Sequence, residues 1–200
     1  MTGVSRREQI LQTAARLFAA RGFHGVSVSE IGAACGISGP ALYKHFGSKD
    51  LLLAEMLEQI SVRLRDEARR RVAAADSPAA AVTALVEHHV AFALEQPALI
   101  VVQDRDWASL PTDARERVRG LQREYVATWA EQLRLLSAAR SSTSPDAEAL
   151  SEDEALSEDE ARATAHVVFG LVNSTPHSAV LPADEMRVLL TRSALRVLGL

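Results

Sequence analysis

Apolar residues recur along this chain at spacings of three and four, the mark of helices with one buried side. Ile10, Ala14, Leu17 and Phe18 predict a first helix from Arg6 to Arg21, closed by Arg21-Gly-Phe. Ser27 or Ser29 can cap a short second helix with Ile31, Ala34 and Cys35 on one face, and Gly36 lies where a helix stops with positive φ. Ser38 can cap a third helix, with Pro40 in its first turn and Ala41, Leu42 and Phe46 on its buried side. Gly47-Ser-Lys-Asp breaks the chain again. Ser48 then caps a long helix on which Leu53, Leu57, Ile60, Leu64 and Ala68 recur, running to about Ala75.

Further along, proline and serine punctuate the pattern. Asp76-Ser-Pro separates the long helix from one running from Pro78 to about Glu95, and Gln96-Pro97 precedes a short helix from Ala98 to about Trp107. Leu110-Pro-Thr-Asp opens a longer helix with Val118, Leu121, Tyr125, Trp129, Gln132 and Leu136 on one stripe, fading near Ala139. Arg140 to Asp146 reads as a loop. A direct repeat follows, Glu148-Ala-Leu-Ser-Glu-Asp and Glu154-Ala-Leu-Ser-Glu-Asp. Each copy holds a capping box, Ser151 with Glu154 and Ser157 with Glu160, so the next helix has two possible starts; the repeat itself reads as an acidic solvated linker. Helix resumes by Ala161 and ends at Asn173-Ser-Thr-Pro. A last helix from about Ala183 carries Met186, Leu190, Ser193, Ala194 and Val197. These last two helices hold more apolar surface than a small bundle needs, and Gly170, Ser193 and Ala194 permit close helix approach.

Composition agrees with an all-α chain. With 48% hydrophobic and 24% charged residues in 200, it falls among soluble globular proteins of one large or two small domains. A single cysteine, Cys35, allows no internal disulfide and is expected to be a packing residue. The start Met1-Thr-Gly-Val-Ser-Arg-Arg lacks the apolar core of a signal peptide, and no apolar run approaches the roughly 18 residues that span a bilayer, so a cytoplasmic location without membrane contact is expected. The net charge of -4 divides unevenly, +4 for residues 1–75 and -8 for residues 76–200. A basic first part suits a nucleic-acid partner.

The stretch from Val26 to Leu53 carries the chemistry. Two short helices about a tight turn form a helix-turn-helix, and the outer side of the second carries Tyr43, Lys44 and His45, all donors to phosphate oxygens. Lys49 stands in the first turn of the next helix, where the dipole opposes a cation and a nearby phosphate would favour it. Gly39, Pro40 and Ala41 offer only backbone approach and apolar contact to bases, so Ser38, Lys44 and Ser29 are the candidates for base edges. Ser27 borders the same surface, and Arg6 with Arg7 forms a candidate basic arm.

Ile31, Gly36, Ile37, Ser38, Leu42, Tyr43, His45, Phe46, Ser48, Lys49 and Leu52 stand at the spacing found in the TetR family of bacterial transcription regulators, which residues 5–60 resemble. The resemblance implies a helix-turn-helix DNA-binding domain over 1–48, and a larger helical ligand-binding and dimerisation domain over 49–200 with residues 49–75 as the connecting helix. It also implies a homodimer joined through the last two helices, placing two readers about 34 to 36 Å apart on a palindromic double-stranded operator. By the same resemblance the expected function is a repressor released by a small effector; an apolar, aromatic lining suits a hydrophobic one. His88, His89, Phe92, Asp104, Arg105, Trp107, Tyr125, Trp129 and Asn173 are the candidate effector residues, although aromatic rings on such a stripe also build an ordinary core. Glu87-His88-His89 is no metal pair by spacing, because adjacent helical side chains diverge by about 100°. No nucleophile, base or metal constellation is present in sequence, so neither an enzyme nor a bound cofactor is expected. A helix-turn-helix regulator controlled by a protein partner, or acting as an activator, is the competing expectation.

Overall fold

A computed structural model describes residues 5–141 and 156–200, and these form helices and connecting turns only. The order is α1 (Arg6–Arg21), α2 (Val28–Ala34), α3 (Gly39–Phe46), α4 (Lys49–Ala73), α5 (Pro78–Glu95), α6 (Pro97–Asp106), a 3-10 turn (Trp107–Ser109), α7 (Thr112–Ser141), α8 (Glu158–Asn173), the single turn α9 (Thr175–Ser178) and α10 (Ala183–Val197). Local chemistry sets these limits. Ser5, Ser27, Ser38 and Ser157 each accept a backbone N–H as N-caps, and Ser27–Glu30 and Ser157–Glu160 are complete capping boxes. Ser27, not Ser29, therefore starts α2, and α8 begins at the second copy of the repeat. The first copy, with Ser151 and Glu154, lies outside the described residues, as do residues 1–4. Arg140 and Ser141, expected to open a loop, are instead the end of α7, and Arg140 donates to the carbonyls of Leu198 and Gly199, both at 2.9 Å, at the end of α10; the rest of that expected loop lies outside the described residues.

Packing divides the chain into two compact units. The first joins the described part of Met1–Ser61 to Gln96–Gly120; the second joins Val62–Glu95 to the described part of Leu121–Leu200. Sequence order and packing thus differ in two places: α6 packs on α1 rather than with α5, and the first unit takes the start of α4 as far as Ser61. Ile10, Phe18, Val26, Ile31, Leu42, Leu52, Leu53 and Val102 are all fully or almost fully buried in the first unit.

Two glycines make its turn possible. Gly36 has φ +67°, the left-handed region that ends α2. Gly32 is needed for closeness: a Cβ there would stand 2.8 Å from the carbonyl oxygen of Ile37 and 3.2 Å from the amide nitrogen of Gly39. Gly32→Ala is expected to lower the unfolding free energy by about 1–3 kcal/mol, as overpacking against immovable backbone does, and to weaken DNA binding with it. Denaturant titration beside a gel-shift assay measures both; an alanine variant of unchanged stability would show that the turn can open.

In the second unit Ala81, Val82, Leu85, Val86, Val90, Trp129, Ala165, Val168, Val172 and Ala194 are buried. Ala194 is fully enclosed within its own unit, which removes it from the surface expected to admit a second helix. Gly170 has open space where a Cβ would stand, and Val167, Leu189 and Val197 are exposed. No single helix among the described residues is long and apolar enough to cross a membrane.

Candidate nucleic-acid interface and ring cluster

The first unit presents α3 as a short helix with a sharp division of faces. Leu42 and Phe46 point inward, whereas Ser38, Pro40, Tyr43 and Lys44 are exposed. Tyr43 is 49% exposed despite its ring. Its hydroxyl and the Lys44 ammonium have no protein partner among the described residues, which leaves both to donate outward. Ser38 Oγ accepts from the Ala41 amide at 3.3 Å and keeps its own proton to give. Gly39 lies against the start of α2, where a Cβ would come 3.3 Å from Ser29 Oγ, so Ser29, Gly39, Pro40 and Ala41 share one end of the two helices.

Other residues expected to touch DNA also have partners within the protein. Lys49 Nζ donates to the carbonyls of Phe23 and Val26, both at 3.0 Å, and sits 4.2 Å from the centroid of the Phe23 ring. The conflict with the dipole of α4 is thus relieved by two backbone oxygens and a π face, so Lys49 braces the turn before α2 without needing a phosphate there. Ser27 donates to Glu30 Oε2 at 2.7 Å and accepts from its amide at 3.2 Å, which makes it a cap. With Arg21 as a further donor, this pair holds the Glu30 carboxyl down at about 2. Arg6 and Arg7 are equally fixed. Arg7 pairs with Glu55, donates to the His45 carbonyl and lies 4.4 Å over the Phe46 ring, while Arg6 donates to the Cys35 carbonyl and to Gln9. They staple α1 to α2, α3 and α4 and form no mobile arm. His45 is half-buried beside Phe46, and Cys35 is half-buried at the C-cap of α2.

The nine candidate effector residues separate between the two units. Asp104, Arg105 and Trp107 belong to the first. Arg105 donates to Ala19 O at 3.1 Å and to Phe18 O, and pairs with the buried Asp106. A cation held by the last carbonyls of α1 completes that helix end, so Arg105 joins α6 to α1. Trp107 lies under the Arg119 guanidinium at 5.6 Å.

His88, His89, Phe92, Tyr125, Trp129 and Asn173 belong to the second unit, where α5, α7 and α8 bring a ring cluster together. His89 lies 4.6 Å from the Phe169 ring, 5.9 Å from Phe92 and 6.2 Å from Trp129, and its Nδ1 stands 3.1 Å from the Tyr125 hydroxyl. Phe169 touches Tyr125, Trp129 and His166 as well, making it the hub of the cluster. The sequence pattern did not single it out. Its signal was position, four residues before Asn173 and so on the same side of α8.

The electrostatics of this cluster are unusual. His89 is held down at about 3, chiefly by burial and secondarily by the neighbouring His88, with Asn173 opposing; burial also pushes the Tyr125 phenol up. His88 is lowered by burial and by Arg71. In the neutral ring, a phenol donating to Nδ1 leaves the imidazole proton on Nε2. That Nε2, Trp129 Nε1 and Asn173 Oδ1 are all buried and short of a well-formed hydrogen bond, although Asn173 still raises His89 and the Trp129 indole still lowers Tyr125 as hydrogen-bonding neighbours. Two donors and an acceptor are thus only weakly answered among apolar rings. Among the described residues, no three His, Cys, Asp or Glu side chains converge as metal ligands.

Comparison with known proteins agrees with this architecture. The family model for bacterial regulatory proteins of the tetR family matches residues 10–56, and that for the tetracyclin repressor-like C-terminal domain matches residues 75–177. The transcriptional regulator BetI of Rhizobium meliloti is 32% identical over 152 residues, 74% of this chain and 71% of BetI. The uncharacterised regulator YdgC of Bacillus subtilis is 40% identical over 63 residues, a match that spans 32% of this chain and only 32% of YdgC. Among solved structures, AibR in complex with isovaleryl coenzyme A and operator DNA superposes with a TM-score of 0.71 at 20% identity, covering 94% of this chain and 97% of AibR. The matched helix-turn-helix, the outward donors of α3 and the helical second unit lead to one conclusion: the chain belongs to the TetR family and is a helix-turn-helix transcriptional regulator.

Proposed function

We propose that this regulator is a repressor that binds a palindromic operator as a homodimer and releases it when an acyl thioester of coenzyme A enters the ring cluster. The observation that carries the reading is the set of buried polar atoms that lack a well-formed hydrogen bond, His89 Nε2, Trp129 Nε1 and Asn173 Oδ1. A buried group left wholly unpaired costs about 1–3 kcal/mol and a poorly paired one part of that, so a ligand that supplies a carbonyl to the donors recovers the loss while its apolar chain lies against Phe92 and Phe169. AibR, whose solved complex holds both isovaleryl coenzyme A and operator DNA, supports the same effector class.

Connectivity supports the coupling. α4 begins beside the reader and continues into the second unit, and α6, directly following α5, grips the end of α1 through Arg105. An effector that favours the released state need supply only about 1–3 kcal/mol of coupling to weaken DNA binding 5- to 150-fold. Exposed Val167, Leu189 and Val197 with open Gly170 supply the apolar surface for pairing α8 and α10 with a second copy. DNA binding sets the place of action in the cytoplasm.

Gel-shift assays on DNA flanking the gene, with and without isovaleryl coenzyme A and longer acyl-coenzyme A esters, test the proposal. At least fivefold release by one ester is expected; binding indifferent to every ester would overturn it. The rings lie in mutual contact, as in a plain core, and that observation favours the competing regulator without a small-molecule effector. The same assay decides, since such a regulator ignores the esters. On the DNA side, Lys44→Ala is expected to weaken binding and to reduce the salt dependence of log K by about 0.9 for each phosphate that the ammonium neutralises, hence about 2 for a dimer. An unchanged salt slope would mean that Lys44 neutralises no phosphate.

A further inference from the structure

Away from the ring cluster, the second unit holds a groove of about 670 Å³ walled by α4, α5 and α10. Four guanidinium groups line it, from Arg71, Arg187, Arg192 and Arg196, against a single wall carboxylate, Glu87. Its apolar lining is Ala91, Val188, Leu195 and Leu200, with the hydroxyl of Thr191 between them.

This is a local excess of positive charge, because the described residues of the second unit balance twelve arginines against twelve Asp and Glu. Two of the arginines are already paired, Arg71 with Glu67 at 2.7 Å and Arg187 with Glu95 at 3.5 Å, the latter an exposed pair of little strength. Arg192 and Arg196 have no ion pair among the described residues. They stand four apart on one side of α10, where like charges repel. An ordinary solvated helix face would intersperse acids among them, as α4 does with Glu67 between Arg63 and Arg71. Planar guanidinium forks match phosphate oxygens two at a time, and they also stack on aromatic bases. A groove that joins unpaired forks to an apolar floor suits a ligand with both a phosphate and a flat apolar body.

We propose that this groove binds a phosphorylated nucleoside group, with Arg192 and Arg196 on its phosphates and the base over Ala91, Val188 and Leu195. Glu87 accepts from a ribose hydroxyl or from an exocyclic amine of the base. The surface expected to pair two copies lies elsewhere on α10, along Leu189, Ser193 and Val197, so the groove stays open in such a dimer. The proposal does not depend on the ring cluster and stands or falls separately from it.

Calorimetric titration of the full-length protein with adenosine 3′,5′-bisphosphate tests it, with inorganic phosphate and adenosine run in parallel. Saturable binding of the bisphosphate is expected, at least tenfold tighter than inorganic phosphate or adenosine. The double variant Arg192→Gln/Arg196→Gln should weaken it at least tenfold. Both side chains lack ion-pair partners among the described residues, so the variant should retain helicity and operator binding; the single Arg192→Gln, expected to lose at least threefold, serves if the double variant does not fold. No saturable binding, equal affinity for inorganic phosphate, or variants that bind as tightly as the parent would each overturn the proposal. Release of DNA by acyl esters is read in a different assay, so failure of one proposal is distinguishable from failure of the other.

Discussion

Trp129→Ala is expected to destabilise the protein by about 3–5 kcal/mol, the ordinary cost of deleting a large buried aromatic ring. Trp129 is fully buried and lies edge-on to His89, Tyr125 and Phe169, with centroids 5.1 to 6.3 Å away, so its removal opens a void along three neighbours at once. Denaturant titration measures the loss, and a change below about 1 kcal/mol would mean that the cluster is not a closed part of the core. A second substitution separates packing from recognition. Trp129→Phe keeps an aromatic ring and deletes the indole N–H, which is buried with no well-formed hydrogen bond, so part of its packing loss is offset by removal of a poorly satisfied donor. Its stability should fall far less than that of the alanine variant. If Nε1 donates to the effector, this variant folds and binds DNA yet responds at least fivefold less to the acyl ester. An unaltered response would take the indole out of effector recognition.

Much of this architecture was written in local sequence signals, and the residues that misled show why the rest was not. Caps and breakers act within a few residues, so the start of α5 at Pro78, its end at Glu95 and the start of α10 at Ala183 could be read directly from the chain. The matched motif of α2 and α3 likewise depends on spacing within one turn and its two helices. Lys49 is different. Its partners, the carbonyls of Phe23 and Val26, stand 26 and 23 residues away, and only the fold brings them close. Local reasoning saw a cation at the wrong end of a helix and supplied an external phosphate. Arg7 repeats the lesson, since Glu55 lies 48 residues further along.

The ring cluster was legible in part for a related reason. Tyr125 and Trp129 are four apart on α7, and His89 and Phe92 three apart on α5, so each pair was visible as a stripe. Which stripes meet is a tertiary fact. Arg105 and Trp107 carry side chains as suited to a ligand as those of His89 and Tyr125, yet α6 packs on α1 and takes them into the other unit. Phe169, in an apolar run from Val167 to Val172, looked like any other apolar residue. His166 neighbours it on α8 itself, and only the convergence of α8 on α5 and α7 adds His89, Tyr125 and Trp129.

His89 makes the buried cluster answerable to pH. Burial holds its folded value at about 3 against an ordinary 6.5, so as pH falls below 6.5 the unfolded chain takes up a proton that the native ring refuses. Stability is therefore fully present above pH 6.5 and is lost as pH falls, at about 1.4 kcal/mol per unit, until the folded ring itself protonates. His88, lowered by burial and Arg71, adds in the same direction. Carboxylates such as Glu30 and Glu67, held at about 2 by their partners, contribute only below their ordinary value of 4.5, when the unfolded chain begins to protonate them. The interval from pH 6.5 to 4.5 accordingly isolates the histidines, and His89 alone should account for a loss of about 2–3 kcal/mol across it. His89→Phe keeps a ring beside Phe169 and cannot titrate. It leaves the Tyr125 hydroxyl without its partner, a fixed penalty that lowers the whole stability curve but does not tilt it. Chemical denaturation at half-unit steps of pH should thus give a variant that is weaker than the parent at pH 7 and markedly flatter below it. Parallel curves would show that His89 is not held neutral, and the poorly satisfied Nε2 donor on which the effector reading rests would go with it.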